Sequence, residues 1–133
     1  MFKVSQNLKP ISYDLGIFLT RIAAGGLMLL HGTPKLLNFT SRMDTFSNPI
    51  GLGSSLSLTL VVMAEFFCAV FLIVGAFSRL VLIPLIINMS VITFVVHGSD
   101  PMSKKELPLF FLLTFVGLFF TGPGKFSIDG IRR

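Results

Sequence analysis

Apolar residues in this chain gather into four blocks, Leu15 to Leu37, Leu56 to Phe77, Leu80 to Val96 and Leu107 to Thr121, with polar residues concentrated between them. None of the blocks alternates with period two. Segments of this length in lipid must satisfy their own backbone amides, so they predict helices rather than barrel strands. The pattern predicts an all-α integral membrane four-helix bundle, antiparallel and up-down, formed by one domain over 1–133. Its spans fall at about 12–37, 55–77, 80–97 and 103–121.

The fourth block alone would make a helix of only about 22 Å, short of a hydrocarbon core of roughly 30 Å. Ser103 stands three residues before Glu106, the spacing of a capping box, which extends the helix back to about residue 103 and makes Glu106 a cap. Ser78 and Arg79 alone link the second and third spans, which forces a helical hairpin. The link of about 38–55 is the longest, holds Asn48, Pro49, Gly51 and Gly53, and is expected to fold over the mouth of the bundle. The first apolar run is too long for the core of a signal peptide and lacks a small-x-small site, so it is expected to remain as a span.

Composition agrees with the pattern: 53% of residues are hydrophobic and 13% charged, and the mean hydropathy is +0.85, too apolar for a soluble domain of this length. The net charge of +5 suits anionic lipid headgroups, and no basic stripe interleaved with aromatics supports nucleic-acid binding. Cys68 is the single cysteine, so no internal disulfide or CxxC pair exists, and electron transfer requires a borrowed cofactor. Lys3, Lys9, Arg79, Lys125, Arg132 and Arg133 share one expected face, against Lys35, Arg42, Lys104 and Lys105 on the other. The bias places both termini in the cytoplasm.

A cation inside a span costs on the order of 3 kcal/mol on insertion scales, and therefore seeks a partner. At 100° per residue Arg21, Gly25, Met28, Gly32 and Lys35 share a narrow sector of the first span, with His31 about 80° from Arg21. Glu65 is the only charge in the second span, and Arg21 is its expected partner. Two readings of that pair stand: an ion pair that fixes helix packing, or a polar centre that exchanges protons with a ligand. In the third span Ser90, Thr93 and His97 form a polar stripe. Asn88 lies about 180° from His97 unless the helix is irregular, so it ranks below the histidines. His31 and His97 are expected near the outer mouth. Haem or metal is disfavoured because Glu65 lies deeper than both rings. FFLLTFVGLFF in the fourth block reads as lipid-facing bulk, and TGPGKFSIDG fails the phosphate-loop pattern, leaving a turn and a basic interfacial tail.

RIAAGGLMLLHGTPKL, the AEFF around Glu65, His97 at the end of the third span and the terminal GPGKFSID together resemble the DoxX family over roughly residues 15–130. The resemblance implies a small four-helix protein of the prokaryotic inner membrane. Related members are linked to thiosulfate:quinone oxidoreduction as a hydrophobic subunit and to membrane complexes acting against thiol or oxidative stress. The leading expectation is an oxidoreductase subunit holding a quinone within the bundle. Glu65 and Arg21 form its catalytic pair, and His31, Lys35, His97 and Asn88 contact the quinone. Expected partners are membrane lipid, a soluble oxidoreductase or sulfurtransferase subunit, and further copies of the chain. The competing expectations are a non-enzymatic scaffold or assembly factor and, less favoured, a small solute or proton carrier.

Overall fold

The computed structural model describes residues 12–132, and all regular structure among them is helical. Lys3, Lys9 and Arg133, used above for orientation, lie outside the described residues. Helix α1 spans Tyr13–Leu37, α2 is the single turn Phe39–Arg42, α3 runs over Ser54–Val74, α4 over Ser78–Val96, α5 over Met102–Thr121 and α6 over Ile128–Ile131. By length and composition α1, α3 and α4 are apolar and long enough to cross a membrane. Helix α5 has 20 residues but carries Lys104, Lys105 and Glu106 near its start.

The polar ends are built from local signals. Ser12 caps α1, its Oγ accepting from the Leu15 N–H at 3.3 Å, with Asp14 in the first turn and Lys35 in the last, each complementing the helix dipole. The start of α5 differs from the capping-box expectation. The helix begins at Met102 behind an extended Pro101, no side chain caps it, and Ser103 lies inside its first turn, where its hydroxyl no longer occupies the cap position. The α3–α4 turn also shifts. Gly75 ends α3 in a left-handed conformation (φ 72°) and Phe77 follows at φ 50°, so Ser78 and Arg79 already belong to α4. Residues 38–53 include no buried position, so that link stays on the surface. Asn48 pins it locally, its Oδ1 accepting from the Gly53 N–H at 2.9 Å.

Helix α3 is interrupted by a π-helical segment, Met63–Cys68, and α4 ends in another, Ile92–Val96. Each shifts the residues that follow away from the 100° register of a regular α-helix, and such segments gather at functional sites. The core runs between the long helices and includes Met28, Leu72, Leu82, Leu85 and Phe115, all essentially inaccessible. Large apolar side chains also point outward: Leu30, Leu80, Phe94, Phe110 and Phe120 are each at least 64% exposed. A surface this apolar is stable in lipid and not in water. The phenylalanine-rich α5 therefore divides its rings, with Phe111 and Phe115 stacked in the core and Phe110 and Phe120 outside.

Candidate functional site: a lysine–glutamate–asparagine cluster

Helix α1 presents Arg21, Gly25, Met28 and Gly32 as one buried stripe, as its periodicity requires, while His31 is exposed beside it. This stripe meets α3 through glycines. A Cβ on Gly25 would lie 2.7 Å from Ile73 Cγ1, and one on Gly32 would lie 2.5 Å from the carbonyl carbon of Glu65 and 2.8 Å from the Phe66 nitrogen. Gly32 therefore touches the backbone of the π-helical turn that carries Glu65, a closeness no other residue type permits. Arg21, further back along α1, lies against Gly75 at the end of α3. Between these contacts the chain advances about 16 Å along α1 and about 15 Å along α3 at 1.5 Å per residue, so the two helices keep register.

That register decides which cation meets Glu65. Lys35 Nζ donates to Glu65 Oε1 at 2.6 Å, and Asn88 Nδ2 of α4 donates to Oε2 at 2.9 Å. Glu65 is only 1% exposed, whereas the Lys35 side chain keeps 22% of its surface. The expected Arg21–Glu65 pair is thus corrected: Arg21 lies 14 positions before Lys35 on α1, about 21 Å along the axis, beyond an arginine's reach. Asn88, ranked below the histidines, joins three helices at the carboxylate. Neither histidine takes part in these bonds. The His31 ring packs edge-on against Phe111 with centroids 5.9 Å apart. His97 Nδ1 pairs with Asp100 Oδ2 at 2.8 Å in the α4–α5 link, and this hydrogen bond holds the Asp100 carboxyl below its ordinary range.

Arg21 belongs to a second polar assembly at the opposite end of α1. Its Nη2 donates to the Phe126 carbonyl at 2.5 Å, and its Nε and Nη1 are buried without hydrogen-bond partners. Its guanidinium carbon sits 5.6 Å from the centroid of Phe18. The 122–131 tail threads into this end of the bundle. Asp129 accepts from the Phe77 and Ser78 N–H groups at 3.0 and 2.9 Å, supplying the cap that Phe77, which has no side-chain oxygen, cannot give α4. Burial works to raise the Asp129 carboxyl, but these hydrogen bonds and the charge of Arg132 outweigh it and hold the carboxyl below its usual range. Lys125 N–H donates to Asp14 Oδ1 at 3.0 Å, and Arg79 Nε to the Phe119 carbonyl at 3.0 Å. The expected basic interfacial tail is therefore a built part of the bundle, tied to α1 and to the α3–α4 turn.

A lipid-exposed, all-helical bundle with a buried carboxylate shared between a lysine and an asparagine defines a membrane protein with a polar centre between its helices. The DoxX family model matches residues 16–98, well over half of the chain, and the chain belongs to the DoxX family. The matched segment contains the whole Lys35–Glu65–Asn88 cluster together with Arg21, His31 and His97, and stops before α5 and the tail. No curated protein and no solved structure matches the chain.

The six residues singled out from the sequence thus separate. Lys35, Glu65 and Asn88 meet, Arg21 serves the other end, and His31 and His97 have contacts of their own. Sequence periodicity missed the cluster because it fixes faces within one helix and leaves the register between helices open. Gly32, three residues before Lys35 on the same face, was the available signal for a close helix crossing at that level. Among the described residues no group of three histidine, cysteine or acidic side chains is arranged to hold a metal ion.

Proposed function

We propose that this chain is a four-span, antiparallel subunit of a membrane redox system whose Lys35–Glu65–Asn88 cluster contacts a lipid-soluble quinone. The observation that carries the reading is the arrangement of the lysine. Lys35 anchors one N–H on the buried Glu65 and remains partly exposed, so the ammonium has two further donors for a carbonyl oxygen arriving from the lipid side. Reduction of a quinone to its quinol takes up two electrons and two protons. Lys35 would hydrogen-bond the oxygen that gains charge, with Glu65 balancing the lysine and Asn88 fixing the carboxylate. The electrons come from a partner protein's redox centre, since this chain has one lone thiol and no redox pair, and the two protons from water reaching the exposed side of Lys35. His31 and His97 would contact the quinone only by approaching from the surface near the cluster.

A scaffold reading is favoured by a different observation: both Glu65 oxygens already have protein partners, so the cluster is satisfied without a ligand. One experiment separates the two. The purified protein is titrated with decylubiquinone in detergent, comparing wild type with Lys35→Gln and Glu65→Gln and following the melting temperature alongside. The quinone reading expects saturable binding weakened at least tenfold in variants that remain folded. Absence of saturable binding in the wild type, or equal affinity in all three, overturns it and leaves the scaffold.

A further inference from the structure

Two openings lie far from Glu65, at the end of α1 that begins with Tyr13, about 33 Å along the helix from Lys35. One is a polar cleft of about 500 Å³ whose lining includes Ser78, Arg79, Lys125 and Asp129. The other is a groove of about 460 Å³ along α1 and α5, lined by Gly16, Ile17, Thr20, Gly117 and Leu118. Tyr13 and Thr121 line both, so the cleft and the groove adjoin.

We propose that the cleft and the groove together form a binding site for one anionic phospholipid, its phosphodiester between Arg79 and Lys125 and an acyl chain lying over Gly16 and Gly117. The charges support an anion. Among the described residues neither Arg79 nor Lys125 is in an ion pair, and the two carboxylates that share the cleft turn toward backbone amides instead of these cations, Asp129 toward Phe77 and Ser78 and Asp14 Oδ1 toward Lys125 N–H. Arg132 further offsets Asp129. Arg79 uses Nε on the Phe119 carbonyl, which orients its fork and leaves the terminal nitrogens as donors. Basic recesses between membrane helices at the interface suit lipid headgroups.

The groove supports a chain. A Cβ on Gly16 or on Gly117 would meet nothing within 4 Å, so these glycines line open space instead of permitting a helix crossing, in contrast to Gly25 and Gly32. A free anion would use the cleft and leave the groove without a role. A diacyl lipid with a charged head uses both, and its head and chains meet where Tyr13 and Thr121 stand.

The test is native mass spectrometry of the full chain in mild detergent. It is titrated with phosphatidylglycerol, phosphatidylcholine of the same chains, diacylglycerol and inorganic phosphate. One phosphatidylglycerol is expected to be retained per chain, at least tenfold more tightly than diacylglycerol or inorganic phosphate. Gly16→Leu, whose Cβ meets nothing within 4 Å, puts a side chain into the groove and should lower retention at least tenfold. Gly26→Leu, also in open space on α1 but outside the groove, should not. Lys125→Gln, at an exposed position whose backbone bond is kept, should reduce the preference for phosphatidylglycerol over phosphatidylcholine about threefold or more, and it keeps the test valid if Gly16→Leu does not fold. Equal retention in Gly16→Leu and Gly26→Leu overturns the proposal, as does inorganic phosphate binding as tightly as the lipid. A change in oligomer mass in Gly117→Leu with lipid retention intact would make the groove a contact between copies and equally overturn it.

Discussion

Replacing Gly32 with alanine adds one methyl group at the closest crossing of α1 and α3. Its carbon would lie 2.5 Å from the Glu65 carbonyl carbon and 2.8 Å from the Phe66 nitrogen, where contacts are comfortable at about 3.5–4.0 Å. The atoms struck are backbone, so no side chain can rotate away, and the helices must part by about 1 Å. A gap of that size forfeits a quarter to a half of the dispersion energy of each pair it opens, and overpacking of this kind costs about 1–3 kcal/mol. The Lys35–Glu65 contact lies less than one turn away and lengthens with the same movement, at a cost of about 1 kcal/mol or more. Against this, alanine is the better helix former by about 1 kcal/mol. The clash wins, for a net loss of about 1–3 kcal/mol. Unfolding in mixed dodecylmaltoside and sodium dodecyl sulfate micelles, followed by circular dichroism, measures it. Gly26→Ala on the same helix is the control, since a Cβ there meets nothing within 4 Å. If Gly32→Ala proves as stable as Gly26→Ala, the glycine crossing does not set the register of α1 on α3.

Three further outcomes follow from the polar contacts. Lys35→Met and Glu65→Gln should each destabilise the fold, by up to about 3 kcal/mol with allowance for the partial exposure of Lys35, while the double variant loses less than the sum because neither partner is stranded; the same micelle titration closes the cycle, and strict additivity would contradict the pairing. The Asp129 carboxyl is lowered in the fold, so its stabilisation is complete above the ordinary carboxyl value of 3.8 and is lost as pH falls through the lower native value. Asp129→Asn should therefore flatten that acid limb in a series of melting curves, and an unchanged limb would refute the cap. Arg21→Met removes the bond to Phe126, so trypsin should cleave after Lys125 several-fold faster than in wild type, as read by mass spectrometry of the fragments.

Helix identity was legible because lipid leaves the backbone few alternatives: four apolar blocks became α1, α3, α4 and α5, displaced by only a few residues at their ends. The buried stripe of Arg21, Gly25, Met28 and Gly32 was legible for the same reason, since the 3.6-residue period fixes which residues of one regular helix share a face. The presence of a buried charge at Glu65 was also plain from the chain. Its partner was not. Depth counted along two separate helices leaves their mutual register open, and the contact of Gly32 with the Glu65 backbone sets that register at Lys35 instead of Arg21. The π segment Ile92–Val96 alters the angle between Asn88 and His97, but Asn88 itself lies in the regular part of α4, and its place beside Glu65 depends on how α4 lies against α3, which no count along one helix contains. The tail differs again. GPGKFSID reads as a turn in isolation, and only packing reveals that Asp129 caps α4 and that Phe126 receives Arg21. Sequence alone determined the apolar helices and the shared face of α1, because those depend on neighbours within one helix; tertiary structure decided the buried faces of the other helices and the partners of Arg21, Glu65 and Asp129, because those depend on how separate helices lie against one another.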